Sequence, residues 1–549
     1  MANKLKLCVV ASWAALVVCG VAASPFNPAA ANSAGSRAQK TAVKSAATVE
    51  RGLTTQERRG KAIYLRGESP SGGEIKAFVG EIDVPASTLT CAGCHGLRGE
   101  GKTEGGVTAG NLMWANLIKS YGHTHPTGRK HGPFDEAAFA RSVAEGTDPA
   151  GNTLLAAMPR FKMSPQDVAD IIAYIKRIED DRDPGLSETA IKVGTILPLK
   201  GALGEMGAAM RDVLTAYFDD LNSKGGIYNR KLDLQVAETG SDAATTAANA
   251  KRLLVDGRVF CVVGGMSAGA DRELAALTQE AETPFVGPST LLPQIGFQTN
   301  RYIFYLLPGV GEQAGALVNF AAQKQKLVGA RVAIVYSQGE IAEAAATRIE
   351  EGCKRIGCGT VQKSSYARAK FDAPALVRSL KSSDAVFFLG SNGEDISFIK
   401  EAASAGWTPN VYLLGALASR ELTGAVPASF KDRVFLAYPS IPTDIAASGE
   451  AEFRALVEKY KFPVRHTAVQ LSTLAAAKIL VEGLQRAGKD LSRETLITAL
   501  EGLYDYDTGL TPHLTFGPNR RVGAAGAYII GIDSENKSFV VVSNWIKAN

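Results

Sequence analysis

Beyond Ile191 the chain alternates short runs of apolar residues with longer segments in which apolar residues recur every three or four positions. Apolar runs lie, for example, at Val193–Leu197, Arg331–Tyr336 and Ala385–Leu389. Short apolar runs predict buried strands, and the periodic segments predict amphipathic helices that cover them. This alternation is typical of parallel sheets with helices on their faces. The pattern predicts two α/β lobes within residues 191–549.

The preceding region shows the helical pattern without the strand-like runs. Apolar residues recur at helical spacing around Arg58–Tyr64 and again over Asp167–Ile175. This predicts a small all-α domain over residues 52–180. Acidic residues, a proline and a glycine interrupt the periodicity over residues 181–190, which predicts a linker. The chain is therefore expected to be multidomain, with the all-α domain followed by the two α/β lobes.

The first residues have the outline of an export signal. Lys4 and Lys6 precede an apolar run from Leu7 to Ala23, so residues 1–24 are predicted to be a secretory signal peptide that directs the protein to the periplasm. An uncleaved membrane anchor is the alternative, because the run approaches the length of a spanning helix. No integral membrane segment is expected after it. Residues 25–51, rich in Ala, Ser and Asn, predict a flexible leader.

The composition is that of an ordered protein of several domains. The chain has 549 residues, 46% hydrophobic and 21% charged, enough for two or three cores. A formal charge of +5 is too small for a general nucleic-acid binder at this length. Seven cysteines are too few for a disulfide scaffold. Cys353 and Cys358 flank a short turn and could form a disulfide, whereas Cys261 lies in an apolar run and is expected to be buried.

One short motif carries specific chemistry. Cys91, Cys94 and His95 form the sequence C-A-G-C-H, which is the attachment signature of c-type haem. Two cysteines one helical turn apart can each form a thioether with a haem vinyl group, and the following histidine then lies under the iron. A zinc or redox C-x-x-C with an incidental histidine is the alternative. The motif predicts one covalent haem c.

The region resembles the small monohaem cytochromes c over residues 52–180, from the haem motif through Ala157-Met158-Pro159 to the closing helical pattern. The resemblance implies that Met158 supplies the second axial ligand of the iron, with Met113 and Met163 as rivals. A thioether ligand closes the sixth coordination position, which suits electron transfer rather than oxygen chemistry. We therefore expect an electron carrier.

Two other features of this region have weaker interpretations. His123, His125 and His131 lie in a basic, loop-like stretch that could dock a partner or supply a distal ligand, and a solvated loop is the plainer interpretation. Gly96–Thr103 satisfies the phosphate-loop pattern G-x-x-x-x-G-K-T. That motif requires a strand before it, and none is predicted here. A glycine-rich loop beside the haem is the better account.

The remainder resembles the periplasmic binding proteins of the leucine/isoleucine/valine type, the ligand-capturing subunits of ABC importers. The resemblance rests on several short segments in a fixed order, which are Ile191–Gly194, Leu221–Ile227, Val262–Gly264 and Arg331–Tyr336. It implies two lobes, joined by three crossings, that close on a solute. Chain order then assigns residues 190–308 and 438–510 to one lobe, and residues 309–437 with the C-terminus to the other.

The resemblance also implies a solute site, with marked departures from the amino-acid binders. Hydroxyls remain where the family holds a carboxylate, at Ser267, Ser289 and Thr290, and Asn392 is a further candidate. The acidic partner of the ligand ammonium falls near Leu417, and two site tyrosines fall on Met206 and Ile341. An unpaired ammonium in a closed cleft costs several kcal/mol. We therefore expect a small non-amino-acid organic ligand, or a domain that has lost its ligand and serves for docking.

These features together predict a periplasmic electron-transfer protein, not an enzyme, whose second domain binds a small organic solute. Its redox partner could be a periplasmic dehydrogenase. One alternative is the binding subunit of an ABC importer, with a permease as partner and the cytochrome as an accessory. The other is a haem enzyme with an open iron site, which requires that Met158 not be a ligand.

Overall fold

The computed structural model describes residues 53–125, 127–296 and 299–548. The predicted signal peptide and leader therefore lie outside the described residues. The described chain divides into two compact units between Arg182 and Asp183.

The N-terminal unit is mainly helical. Its helices are α1 (Thr55–Arg66), α2 (Cys91–His95), α3 (Trp114–Leu117), α4 (Glu136–Ala144) and α5 (Pro165–Ile175). Its strands are β1 (Lys76–Val79), β2 (Ile82–Pro85), β3 (Thr103–Glu104), β4 (Val107–Thr108), β5 (His123–Thr124), β6 (Lys130–His131) and β7 (Arg160–Lys162). β1 pairs antiparallel with both β2 and β7. These strands are too short to show a period of their own, so the sequence pattern did not predict them.

The first and last helices of this unit cross closely. Gly60 lies at the crossing, where a Cβ atom would come within 2.0 Å of the carbonyl oxygen of Asp170. Arg59 donates two hydrogen bonds to the Asp170 carboxylate, at 2.6 and 2.9 Å. Tyr64 and Tyr174 pack with ring centroids 5.7 Å apart in the core between the helices. Because Gly60 has no side chain, the backbones of α1 and α5 can approach closely. The rings of Tyr64 and Tyr174 pack beside the crossing.

The C-terminal unit contains two lobes of helix and sheet. The first sheet has the order β12–β11–β10–β8–β9 with all neighbours parallel. Its strands are β8 (Ala190–Leu197), β9 (Lys231–Glu238), β10 (Cys261–Val263), β11 (Phe285–Val286) and β12 (Ile303–Phe304). Helices α6 (Gly204–Ser223), α7 (Ala243–Lys251) and α8 (Asp271–Glu280) alternate with them.

The second sheet lies in the other lobe and is mixed. Its strands are β13 (Val332–Ser337), β14 (Val361–Tyr366), β15 (Ala385–Leu389), β16 (Asn410–Leu414), β17 (Val434–Tyr438), β18 (Gly526–Asp533), β19 (Ser538–Val541) and β20 (Ile546–Lys547). Strands β13 to β17 run parallel, whereas β18 pairs antiparallel with β17, β19 and β20. The helices of this lobe are α9 (Val310–Lys324), α10 (Glu340–Ile356), α11 (Ala373–Leu380), α12 (Glu394–Ser404) and α13 (Leu422–Ala425).

Three further helices return to the first lobe. They are α14 (Ala447–Tyr460), α15 (Thr467–Ala487) and α16 (Arg493–Glu501), and their apolar residues join the core cluster of the first sheet. Leu514 and Phe516 join the same cluster, so the chain stays in the first lobe beyond residue 510, where the sequence analysis ended it. Tyr438 ends β17 and belongs to the second lobe. The segment between α16 and β18, which holds Leu514 and Phe516, contains no helix or strand. The sequence pattern therefore did not indicate to which lobe it belongs.

Helix α15 corrects one expectation. With 21 residues it is long and apolar enough to cross a bilayer, and 83% of its apolar window is buried inside the first lobe. The sequence pattern indicated that no stretch after the signal segment approaches the apolar length needed to cross a bilayer. The core helix of a soluble lobe satisfies the same length and composition because neighbours cover it on all sides.

The two cysteines at the end of α10 lead to a prediction. Cys353 is buried, Cys358 is half-buried, and the two thiols are free in the structure and lie within hydrogen-bonding reach. In an oxidising compartment they are expected to form a disulfide that stabilises the lobe by about 2 kcal/mol, as for other small loops. Alkylation of the unfolded, unreduced, haem-loaded protein should then label only Cys261 among the described cysteines. Labelling of three cysteines before reduction would contradict the pairing.

Candidate functional site

The haem motif lies on a single helical turn that the chain caps itself. The hydroxyl of Thr90 accepts a hydrogen bond from the Gly93 amide at 3.2 Å, which fixes the start of α2. Cys94 is exposed and Cys91 is partly covered by the core of the unit. Burial raises the pKa of the Cys91 thiol to about 12. Both sulfurs are thus presented from one turn, as two thioether bonds to one group require.

His95 is oriented as a metal ligand. Its Nδ1 atom lies 2.7 Å from the carbonyl oxygen of Gly110, and because a carbonyl only accepts, Nδ1 carries the proton. The Nε2 atom then has the lone pair that binds a metal. The ring is buried, with 8% exposure, and burial lowers the pKa of His95, which favours the neutral ligand form. These residues fit a covalent haem.

The structure places the three candidate methionines differently. Met158 and Met163 both pack against the same core cluster as Cys91, whereas Met113 precedes α3 as its N-cap residue. Met158 lies in a bend before β7, where the Arg160 guanidinium donates to the carbonyls of Met158 and Leu154. Met163 lies beyond β7, beside a small pocket that Cys91 also lines. Position therefore leaves Met158 and Met163 as candidates for the second ligand.

The glycine-rich stretch after His95 folds back onto the haem turn. The amide of Gly101 donates to the His95 carbonyl at 2.7 Å, and the amide of Leu112 donates to the Gly99 carbonyl at 2.6 Å. The element before it is the helix α2, not a strand. The phosphate-loop pattern therefore lacks the strand-to-helix setting in which it binds phosphate.

The hydroxyls predicted for the solute site converge on a carboxylate that the sequence analysis missed. Ser267 and Thr290 both donate hydrogen bonds to Asp271, and burial raises the pKa of Asp271 against the opposing effect of those bonds. Ser289 lies next to Thr290, and its amide donates to the Gly265 carbonyl at 2.7 Å. In the sequence, Asp271 could be recognised only as an acidic residue at the start of a helix that follows a strand end.

A pocket lies where the first lobe meets the crossings to the second lobe. The residues that line it include Ser289, Thr290, Pro308, Gln313, Tyr438 and Ser472. No lining side chain is charged. The enclosed space is about 30 Å³, room for about two water molecules, so a larger solute enters only if the lobes separate further. In this arrangement the pocket is therefore small and lined by uncharged side chains.

Gln313 gives this pocket a specific polar group. Its side chain is fully buried on α9, and its Nε2 atom donates to the Pro308 carbonyl at 3.2 Å. Among the described residues, its Oε1 atom has no hydrogen-bond partner. A buried acceptor without a partner costs about 1–3 kcal/mol, and a donor on a bound molecule would recover that energy. The pocket thus offers a bound molecule one buried hydrogen-bond acceptor, the Oε1 atom of Gln313.

The other predicted solute residues do not line this pocket. Met206 is buried with Met210 in an apolar cluster of the first lobe, and Leu417 is buried in the core of the second. Ile341 packs against that second core from the start of α10. Asn392 is exposed, with a left-handed φ of 57°. The neighbour of Leu417, Ala416, lines the pocket, and the assignment of Leu417 to the solute site stays a prediction.

One ion pair joins the lobes beside the pocket. Arg272, in the first turn of α8, lies 2.8 Å from the Glu340 carboxylate at the start of α10. Both side chains are more than half exposed, so the pair adds little stability of its own. Its position shows that the two lobes approach each other at this edge.

Comparisons with known proteins identify both units. The sequence matches the family described as periplasmic binding protein over residues 190–537 and the family described as cytochrome c over residues 86–179. The Leu/Ile/Val-binding protein homolog 7 of Brucella abortus is 22% identical over 309 residues, which are 54% of this chain and 77% of that protein. Homolog 8 of the same species is 23% identical over 346 residues, which are 60% of this chain and 85% of that protein.

Solved structures agree on the fold of the second unit. A fatty acid ABC transporter substrate-binding protein from Thermomonospora curvata aligns with a TM-score of 0.51 and 19% identity, over 67% of this chain and 95% of its own. A branched chain amino acid ABC transporter from Thermus thermophilus with bound valine aligns with a TM-score of 0.51 and 19% identity, over 66% and 97%. The chain thus belongs to the periplasmic binding protein family and carries a cytochrome c domain, with its covalent haem c, ahead of the binding domain.

Proposed function

We propose that this protein is an exported electron carrier whose binding domain captures a small, neutral, non-amino-acid organic molecule. The observation that carries the proposal is a pocket whose described lining has no charged side chain, and in which the buried Oε1 atom of Gln313 has no hydrogen-bond partner in the described part of the chain. Both families are typically exported, which supports a periplasmic location.

The cytochrome side of the proposal rests on His95 and its surroundings. Haem c, when bound, supplies reversible one-electron chemistry at its iron. The Gly110 carbonyl orients His95, and the Tyr64 hydroxyl donates to the Gly96 carbonyl at 2.6 Å inside the core. These bonds hold the end of α2 rigidly, which limits rearrangement around the iron. With Met158 as the second axial ligand, this domain is a carrier and not an enzyme.

The fusion of a cytochrome and a binding domain in one chain indicates the kind of redox partner. A tether raises the local concentration of one module near the other to about millimolar. A periplasmic dehydrogenase that oxidises the captured molecule, or a close chemical relative, would find its electron acceptor near its substrate. We therefore assign such a dehydrogenase as the redox partner.

The neutral character of the solute follows from the pocket chemistry. The ammonium of an amino acid needs a buried carboxylate or several acceptors, and an unpaired buried charge costs several kcal/mol. The side chains of the lining offer hydroxyls and the amide oxygen Oε1 of Gln313, and none of them is a carboxylate. An alcohol can donate to that acceptor while its alkyl group contacts Leu291, Leu307 and the prolines of the crossings. The site is therefore suited to a small alcohol.

A second function has its own supporting observation. Asp271 lies beside the pocket, with its carboxylate held by Ser267 and Thr290, and the relatives are named for leucine, isoleucine and valine. An amino acid whose ammonium reached Asp271 would fit the binding subunit of an importer, with an ABC permease as partner. Burial raises the pKa of Asp271 and thus works against the charged form that this pairing needs.

Three solutes with the same branched alkyl group separate these functions. In the haem-loaded protein, 3-methylbutan-1-ol should raise the melting temperature of the binding domain, whereas leucine and 3-methylbutanoate should not. Gln313→Leu should weaken alcohol binding about tenfold or more, because the hydroxyl loses its buried acceptor. Calorimetric titration gives the affinities.

The matched control for this experiment is Gln325→Leu, at the C-terminal end of the same helix and outside the pocket, which should leave the affinity unchanged. Leucine binding that Asp271→Asn abolishes would establish the importer function instead. Absence of binding by all three solutes, with a folded binding domain, would count against the alcohol assignment.

A further inference from the structure

Three histidines of the cytochrome unit gather on one hairpin, which follows the C-A-G-C-H motif in the chain. His123 and His131 are opposite each other in the antiparallel pair β5–β6, and His125 follows at the end of β5. The ring centroids lie 5.1 to 6.3 Å apart. Three of the six histidines of the chain thus form one cluster, and neither electron transfer nor solute binding uses it.

Hydrogen bonds fix the protonation of the two rings that approach most closely. The Nδ1 atom of His131 lies 2.7 Å from the carbonyl oxygen of Gly132, so Nδ1 carries the proton and Nε2 has a lone pair. The Nε2 atom of His125 lies 3.0 Å from a guanidinium nitrogen of Arg129. Because a guanidinium only donates, this Nε2 atom also has a lone pair.

The same two Nε2 atoms also lie close to each other. The Nε2 atoms of His125 and His131 are 2.9 Å apart, and two unprotonated nitrogens repel each other at that distance unless a cation lies between them. A proton or a metal ion meets this need. His123 is not part of the pair, because its Nε2 atom lies 2.8 Å from the Asn116 carbonyl.

The distance selects among metal ions. Nitrogen ligands bind such ions at about 2.0–2.1 Å, so two nitrogens 2.9 Å apart subtend an angle of about 90° at the ion. A tetrahedral zinc site would separate them by about 3.3–3.4 Å. Right angles between nitrogen ligands are typical of tetragonal copper(II) and nickel(II), and of these two ions copper(II) binds a given nitrogen site more tightly.

The surroundings determine how strong such a site is. Arg129 places a positive charge beside His125, and the carboxylate of Asp148, which has no exposed side-chain surface, pairs with it at 2.6 Å. Among the described residues no group of three or more His, Cys, Asp or Glu side chains is arranged to hold a metal. The protein would therefore supply two ligands, and water would complete the coordination on the half-exposed side of His125.

From these contacts we propose that His125 and His131 form a copper(II) site on the β5–β6 hairpin. The two Nε2 atoms occupy adjacent positions of a tetragonal ion, and solvent occupies the others. Binding requires the Arg129 guanidinium to give up its contact with His125 while keeping its ion pair with Asp148. The site is independent of the solute pocket and of the identity of the redox partner.

The test uses the haem-loaded full chain without an affinity tag, titrated with copper(II) in the presence of a weak competing chelator. Electron paramagnetic resonance should show a tetragonal signal with coupling to two nitrogens. His125→Ala and His131→Ala should each weaken copper binding at least about tenfold, since even residues that only orient ligands cost 10–100-fold. Arg129→Met should strengthen binding, because it removes a competing positive charge.

The matched control is His123→Ala, which removes a ring of the same cluster and should leave copper affinity and coupling unchanged. An unaltered haem spectrum in each variant verifies that the unit remains folded. Binding that survives the loss of both His125 and His131 would overturn the proposal. So would the absence of nitrogen coupling, or a pair that titrates with one shared proton in nuclear magnetic resonance and binds no copper.

Discussion

Replacement of Met158 by alanine in the haem-loaded protein is expected to abolish the weak near-infrared absorption band that marks sulfur ligation of ferric haem. The same change should lower the reduction potential, because a thioether ligand favours the reduced iron. The covalent attachment should persist, since Cys91 and Cys94 are untouched. Optical spectra in both oxidation states and a potentiometric titration measure these effects.

The way in which Met158 is held explains why its replacement should abolish the near-infrared band. The Arg160 guanidinium ties the Met158 carbonyl to the Leu154 carbonyl, and Gly146 leaves the space that this guanidinium occupies. The bend before β7 is thus held by side-chain hydrogen bonds, and the methionine it presents is not easily replaced by a neighbour.

Met163→Ala is the matched control, because Met163 packs against the same core cluster as Met158. The near-infrared band should survive in this variant. A band that persists in Met158→Ala and disappears in Met163→Ala would transfer the ligand role to Met163. A wild-type spectrum without the band would instead indicate an open or histidine-ligated iron and would favour the haem enzyme.

The haem motif was predictable because its chemistry is contiguous. Cys91, Cys94 and His95 lie on one turn, so their spacing alone specifies their joint role. The supporting carbonyl of Gly110 lies 15 positions further along the chain, and no residue type marks a carbonyl as a partner. Sequence thus identifies the ligand, and only the structure identifies what orients it.

The solute pocket was less predictable because it forms where distant segments meet. Gln313, Ala416, Tyr438 and Ser472 come from separate elements, and no periodicity relates them. Met206 was expected at the site from its place in the family pattern. It lies four residues before Met210 on one face of α6, where both are buried, and its role at the solute site stays a prediction. The helix rotation that decides this depends on packing between lobe elements, not on local sequence.

Replacement of Arg493 by leucine is expected to lower the free energy of unfolding of the binding domain by about 3–5 kcal/mol, the range found when one partner of a buried charged interaction is removed. Arg493 is 7% exposed. Its guanidinium donates to the carbonyls of Val259 and Phe260, before β10, at 2.7 and 3.0 Å. It also donates to the carbonyls of Ala281 and Glu282, before β11, at 2.8 and 3.2 Å.

The expected loss of stability is large because leucine offers no hydrogen-bond donor in place of the Arg493 guanidinium. Leucine would leave these buried carbonyls without their donor, at about 1–3 kcal/mol for each group that water cannot reach. Arg493→Lys should recover only part of the loss, because an ammonium lacks the planar fork that reaches two strand ends at once. Burial lowers the pKa of Arg493, which reflects how completely the protein replaces water around it.

Denaturant unfolding followed by circular dichroism measures the loss, while the haem absorption reports on the cytochrome unit and should not change. Arg454→Leu is the control, because Arg454 is half exposed and pairs only with Glu450 on the same helix, an interaction of a few tenths of a kcal/mol. A loss below about 1 kcal/mol in Arg493→Leu would show that water or a local shift satisfies the carbonyls. Because Arg493 connects α16 to the first sheet, a large loss would instead show that the returning helices are integral to the first lobe.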